Sequence, residues 1–189
     1  MIAVFDDMTL CTEDEVQKML PLVSGQRRGQ ALAFANVFGR FACLKSYLML
    51  LEILDMGDVK PEFTFGTNGK PFLKDFPDVH FNISHCRNGI AVVVENHPTG
   101  IDIESFRPYK EALVRRTMND EECKKISSSP NPDVEFTTLW TRKEAVVKLN
   151  GDAITDDVRN VLSDNDVILK THINPEKKYV YSVAEKLKL

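Results

Sequence analysis

Gly100-Ile101-Asp102-Ile103-Glu104 alternates apolar and acidic residues at period two, and the rest of the chain is best understood outward from it. Successive side chains on a β-strand leave opposite faces, so Ile101 and Ile103 go to a core while Asp102 and Glu104 share the other face. A second stretch, Trp140-Thr141-Arg142-Lys143-Glu144-Ala145-Val146-Val147-Lys148, reads as helix, with Glu144 and Lys148 neighbours on one side. Three carboxylates converging with a lysine suit a hard divalent cation and a phosphate ester. Mg²⁺ takes oxygen ligands and normally keeps waters and substrate phosphate in its shell. Taken singly, each residue has a plainer use. Alternating acids also fit a solvated, half-exposed strand, and a Glu-x-x-x-Lys pair is usually a surface ion pair worth about 0.2–0.5 kcal/mol. The combination favours metal and phosphate chemistry.

The bulk properties agree with an enzyme of ordinary globular composition. The chain has 189 residues, 43% of them hydrophobic and 28% charged, enough for one large domain or two small lobes. A net charge of −4 and a pI near 5.6 argue against general nucleic-acid or anionic-membrane binding, which needs a basic footprint. The run Met1-Ile2-Ala3-Val4-Phe5 has no basic flank and is short for a signal peptide. Nothing approaches the ~18 apolar residues of a spanning helix. Cys11, Cys43, Cys86 and Cys123 lack metal-type spacing, so reduced thiols and a cytoplasmic location are expected.

The order of elements points to α+β. A short helix is expected over 14–20, ending at Pro21, and a long helical pattern over 28–55, weakened at Gly39 and stopping by Gly57. Strand-like segments follow at 63–65, 81–83 and 90–94, with Cys86-Arg87-Asn88-Gly89 as a hairpin turn. His97-Pro98-Thr99 is the candidate hinge, giving lobes of 1–98 and 99–189. The second lobe reads as strand 100–104, helices near 109–118 and 119–126, a Ser/Pro/Asn loop at 127–133, helix 134–149, and strands near 166–172 and 178–184. Rossmann-like βαβ spacing is absent, so the helices are expected to pack on small antiparallel sheets.

A second constellation supplies anion-binding chemistry. Gly69-Lys70-Pro71 follows a Gly66-Thr67-Asn68 turn, which places a lysine on a tight loop. In Asn82-Ile83-Ser84-His85, a hydroxyl and an imidazole stand at a strand end; His85 alone equally suits a satisfied structural histidine. Arg27, Arg28 and Arg40 form a basic cluster that by itself fits a solvated helix face. Walker loops, GxSxG elbows and His/Cys metal clusters are missing.

Gly69-Lys70-Pro71, Phe81-Asn82-Ile83-Ser84-His85, Gly100-Ile101-Asp102-Ile103-Glu104 and the stretch Trp140 to Lys148, in this order, resemble the motifs of the 4′-phosphopantetheinyl transferases. Length and two-part organisation are similar to the larger, surfactin-synthetase-activating (Sfp-like) class rather than to the short, trimeric holo-acyl-carrier-protein synthases. Before residue 60 the similarity rests on Ser24-Gly25-Gln26-Arg27-Arg28 and on Arg40.

The resemblance implies two pseudo-twofold-related lobes, each a small antiparallel sheet packed with helices. It also implies transfer of the phosphopantetheine arm of coenzyme A to a serine of an apo acyl or peptidyl carrier protein, with Mg²⁺. Asp102, Glu104 and Glu144 would hold the metal. Lys148 would neutralise pyrophosphate charge, and Glu144 would compete for the role of general base. Lys70 with Pro71 would lie by the adenine, Ser84 and His85 by the phosphates, and Arg27 and Arg40 around the 3′-phosphate. The Tyr109–Met118 segment would lie close to the carrier, although a helix that buries Leu113 and Val114 and solvates its arginines fits it equally. A chain that builds its site internally is expected to act as a monomer. Gln30 departs from the second lysine common in the family, Gly151-Asp152-Ala153 from a glycine pair, and Cys86 from a serine. A non-catalytic CoA- or carrier-binding module of the same fold is the alternative, and the intact acidic triad with Lys148 argues against it.

Overall fold

The structure is a computed structural model that describes residues 1–66, 68–152, 156–163 and 166–187. Thr67 of the expected turn and Ala153 of the glycine departure lie outside the described residues. Strand β1 (Ile2–Phe5) is followed by helices α1 (Glu13–Met19), α2 (Gly25–Leu32) and α3 (Val37–Ile53). Strands β2 (Phe63–Phe65), β3 (Pro71–Leu73), β4 (His80–Cys86), β5 (Gly89–Glu95) and β6 (Thr99–Ser105) come next. Helices α4 (Glu111–Thr117), α5 (Asp120–Ser128) and α6 (Pro132–Asn150) precede the closing strands β7 (Val167–Asn174) and β8 (Tyr179–Lys186).

The strands form antiparallel sheets in the orders β1-β5-β4, β2-β3 and β6-β8-β7, which makes the fold α+β. β1 and β3 are additions to the strands expected from sequence. The Asn-Gly hairpin is present, with Cys86 paired to Gly89 across the turn. None of the described helices is long and apolar enough to cross a membrane.

The long helical pattern divides, but not where Gly39 suggested. Asn36 is the N-cap of α3, its Oδ1 accepting from the Gly39 amide at 2.7 Å, so the break falls between Leu32 and Val37. Gly39 instead makes room within the first turn of α3. A Cβ there would stand 2.6 Å from the ring of Phe34, which folds back over it.

The two larger sheets meet along β4 and β6 through side chains. Asn82 Oδ1 accepts from the Ile101 amide at 3.0 Å, and Ser84 Oγ accepts from the Ile103 amide at 3.3 Å. Ala91 and Val93 of β5 share one apolar cluster with Ile101, Ile103, Tyr179 and Val183 from the other sheet. On the far side, α6 lies across β6 and β8, with Ala145, Val146 and Leu149 packed against Ala184. Gly100 is the closest point of that approach. A Cβ on it would fall 2.1 Å from the Ala145 carbonyl oxygen and 2.4 Å from the Leu149 nitrogen. Only a residue without a side chain lets β6 press on α6 here.

Candidate active site

Ile101 and Ile103 are buried as the alternation requires. Asp102 is buried as well, only 2% exposed, which excludes the solvated-strand reading for it. Its Oδ1 accepts from Lys148 Nζ at 2.6 Å and from Ser84 Oγ at 2.8 Å. Its Oδ2 is buried and, among the described residues, has no hydrogen-bond partner. Ser84 has used both sides of its hydroxyl, because it also accepts from Lys148 Nζ at 2.9 Å and from the Ile103 amide. A buried carboxylate oxygen without a donor is costly and calls for a cation or proton.

The α6 motif works because one position on each successive turn of the helix faces β6. Trp140 stands beside the Glu104 carboxylate and favours its charged form. One turn on stands Glu144, and one further Lys148, whose Nζ is 3.8 Å from Glu144. The intervening residues fasten the helix elsewhere. Thr141 shares a hydrogen bond with Ser182 of β8 at 3.0 Å, and Arg142 donates to Thr171 of β7 at 3.0 Å. Lys143 is wholly buried and bridges Glu122 at 2.8 Å, while also donating to the carbonyls of Val158 and Arg159. That buried pair is a structural feature the sequence did not distinguish from a surface lysine.

Asp102, Glu104, Glu144 and Lys148 line one cleft of about 670 Å³. Burial, and then the neighbouring Asp102 and Glu104 charges, push the Glu144 carboxyl up to about 7, with Lys148 opposing. Burial and Asp102 also raise Glu104 above the usual carboxylate range. Among the described residues, no three His, Cys, Asp or Glu side chains are already gathered to hold an ion. The donor set nevertheless fits Mg²⁺, which is commonly held by one or two carboxylates with substrate phosphate and water completing the shell. The orphaned Asp102 Oδ2 and two carboxyls raised by burial and by the neighbouring Asp102 charge are what an added cation would relieve.

The opposite wall comes from the first half of the chain: Arg27, Gln30, Phe34, Ser46, Phe63, Phe65, Gly69 and Pro71, with Ser84 and His85 between. Arg27 is held by donating to the Cys43 carbonyl at 2.9 Å and to Ser46 Oγ at 3.0 Å, with its guanidinium 5.2 Å from the centre of the Phe63 ring. Gln26 fixes β2 beside it by a two-way bond to the Phe63 backbone, at 2.7 and 2.8 Å. The His85 ring stands edge-on to Phe38 at 5.6 Å. Partial burial, with the Lys148 charge adding to it, lowers its pKa and favours the neutral ring. In the sequence Gln26 is visible only as part of Ser24-Gly25-Gln26-Arg27-Arg28, and Phe63 and Phe65 only as a strand-like segment.

Two expected contacts are directed elsewhere. Arg40 does not line the cleft: it donates to the carbonyls of Phe34 and Ala35 and pairs with Glu13 at 2.8 Å, pinning the α2–α3 corner. The Lys70 ammonium donates to the carbonyls of Lys148, Leu149 and Thr99, at 2.7, 3.0 and 3.4 Å, while its neighbours Gly69 and Pro71 face the cleft. The Tyr109–Met118 segment is largely used for packing: Val114 and Met118 are buried, Tyr109 stacks near Phe136, and Arg115 is exposed beside Glu111. A further cleft of about 620 Å³ shares Glu104 with the first and is lined by Arg87, Arg107 and Lys178.

Comparison with known proteins gives the family of the chain. Residues 98–185 match the sequence model of the 4′-phosphopantetheinyl transferase superfamily. A 4′-phosphopantetheinyl transferase of Bacillus subtilis is 34% identical over 168 residues, covering 80% of this chain and 70% of its own length. The transferase psf-1 of Bacillus pumilus is 30% identical over 147 residues, 75% of this chain and 63% of that protein. Sfp of Bacillus subtilis strain 168 is 24% identical over 152 residues, 76% of this chain and 67% of its own. The chain thus spans about two thirds of the length of these relatives. Acidic strand, capping helix and these matches together make the chain a member of the 4′-phosphopantetheinyl transferase superfamily.

Proposed function

We propose that the chain transfers the 4′-phosphopantetheine arm of coenzyme A to a serine hydroxyl of an apo acyl or peptidyl carrier protein, releasing adenosine 3′,5′-bisphosphate. The observation that carries this reading is the buried, unpartnered Oδ2 of Asp102 in a cleft that it shares with Glu104, Glu144 and Lys148. Attack on a diphosphate needs charge neutralisation and alignment more than covalent help. Mg²⁺, held by Asp102, Glu104 and Glu144, would supply that neutralisation together with Lys148. The serine oxygen forms a bond to the phosphorus that carries the pantetheine, and the bond from that phosphorus to the bridging oxygen breaks. Glu144, which shares the cleft with Asp102 and Lys148, would take the serine proton, directly or through a metal-bound water.

Arg27, Ser84 and His85 would face the anionic end of coenzyme A, with Gly69, Pro71, Phe63 and Phe65 against its base. The carrier would approach from the Arg87, Arg107 and Lys178 side, since Glu104 belongs to both clefts. Sheets β1-β5-β4 and β6-β8-β7 would be the pseudo-twofold-related lobes, divided at residues 98 and 99. Both walls come from one chain, so the protein would act as a monomer. Incubation with coenzyme A, Mg²⁺ and a set of apo carrier proteins, read by intact mass, tests the reading. A carrier gaining one phosphopantetheine supports it; no gain on any carrier, with the protein folded and coenzyme A bound, refutes it.

A further inference from the structure

The loop between β2 and β3 reaches across to the end of α6 and is bonded to its carbonyls. Asn68 Nδ2 donates to the Gly151 carbonyl at 2.9 Å. Lys70 Nζ takes the carbonyls of Lys148, Leu149 and Thr99. The last carbonyls of a helix have no partner within it, and a cation there is favoured by the helix dipole. Gly151 closes α6 with a φ of +75°, and the Lys70 stem lies 3.5 Å from where a Cβ would project from it. The ammonium therefore clips three things together: the last turn of α6, the first residue of β6, and the loop whose Gly69 and Pro71 face the cleft. Gly100, where β6 and α6 are closest, follows directly on Thr99.

We propose that Lys70 is a positioning residue: its ammonium holds the terminal turn of α6 against β6, and thereby fixes Lys148 on Asp102 and Ser84. The inference rests on the transferase reading for its kinetic consequence only. Lys148 Nζ bridges Asp102 Oδ1 at 2.6 Å and Ser84 Oγ at 2.9 Å, and its own carbonyl is the nearest acceptor of Lys70. Removing the Lys70 ammonium takes a donor from three partly buried carbonyls and leaves that of Lys148 with only the longer bond from the Gly151 amide at 3.3 Å, which loosens the turn that carries Lys148. Binding of a substrate against Gly69 and Pro71 would act on the same loop, so cleft occupancy and Lys148 placement are mechanically joined.

The test is Lys70→Met, which keeps the stem and removes the donor. A positioning role lowers kcat about tenfold or more and leaves KM for coenzyme A within about twofold, because the loss lies in the transition state. In a Lys148→Ala background the same change costs less than about twofold further, since both act through one group. Asn68→Ala, which removes only the Gly151 bond, gives the same pattern at smaller size and serves if Lys70→Met folds poorly. Hydrogen exchange of the Gly151 and Asp152 amides accelerates in Lys70→Met whether or not the protein turns over. Unchanged exchange, a rise in KM for coenzyme A at constant kcat, or multiplying losses in the double variant would each overturn the proposal. Absence of transfer by the unaltered protein counts against the functional reading instead, and the exchange experiment still decides the role of Lys70.

Discussion

The two walls of the cleft are built in opposite ways. The acidic wall comes from one strand and one helix, β6 and α6, each contributing a contiguous run of residues. It is braced tightly: Asp102 is locked to Lys148 and Ser84, and Gly100 brings strand and helix into backbone contact. The other wall is assembled from α2, α3, β2, the β2–β3 loop and the end of β4, with Arg27 fixed by the Cys43 carbonyl and Ser46, residues distant in sequence. On the proposed function, the contiguous wall would place charge at the reacting phosphorus and the scattered wall would grip the rest of a large substrate. Substitutions on the first should therefore change kcat, and those on the second KM.

Asp102→Asn gives the largest effect expected. It keeps an acceptor for Lys148 and Ser84 but removes the charge, so transfer falls by about 10²–10³-fold or more while the thermal midpoint changes little. Near-normal turnover in this variant would remove the acidic wall from the chemistry. Gly100→Ala comes next. The added methyl collides with the Ala145 carbonyl and Leu149 nitrogen, at a cost of about 1–3 kcal/mol in chemical denaturation, and activity falls as β6 parts from α6. A variant as stable and active as the parent would show that the close approach is not needed.

The pH dependence follows from Glu144. Its folded pKa of about 7 lies above the ordinary 4.5, so the fold prefers the neutral carboxyl. That contribution to stability is complete below about 4.5 and is lost as pH rises through about 7. Without metal, the difference in thermal midpoint between Glu144→Gln and the parent should widen in favour of the variant over that window. A constant difference would deny the shift. In catalysis Glu144→Gln should lose the acidic limb of the kcat profile, and saturating Mg²⁺ should not restore the rate; full restoration would make Glu144 a ligand only. The smallest effect belongs to the gripping wall. His85→Ala should raise KM for coenzyme A several-fold, about 10-fold at most, with kcat nearly unchanged, and should discriminate less between coenzyme A and its 3′-dephospho form. Equal loss on both substrates would make His85 structural.

The same contrast explains what the sequence revealed. Period-two alternation at 100–104 and helical spacing at 140–148 report burial and facing directly, so the acidic wall was legible down to Asp102, Glu104, Glu144 and Lys148. The other wall depends on which backbone groups a side chain finds. Arg40 and Lys70 are equally basic in sequence, yet each is directed to carbonyls outside the cleft, and nothing in their neighbours specifies that. Gln26 and Lys143 are indistinguishable in sequence from surface residues, although one holds β2 in register and the other is completely buried. The split between α2 and α3 was expected at a weak helix former, Gly39, whereas the N-cap Asn36 decided it. Strand β1 is short, and its pairing with β5 comes from a segment far along the chain, which local pattern does not encode.

On the proposed function a divalent cation would join the two walls, shared by the acids and the substrate phosphates. Isothermal titration of Mg²⁺ into the protein, with and without coenzyme A, measures that coupling directly. Since, among the described residues, no three acids are gathered in advance, binding to the protein alone should be weak, and coenzyme A should tighten it about tenfold or more. Reciprocally, Mg²⁺ should tighten coenzyme A by the same factor, and Asp102→Asn should abolish both effects. Equal Mg²⁺ affinity in the presence and absence of coenzyme A would contradict the account.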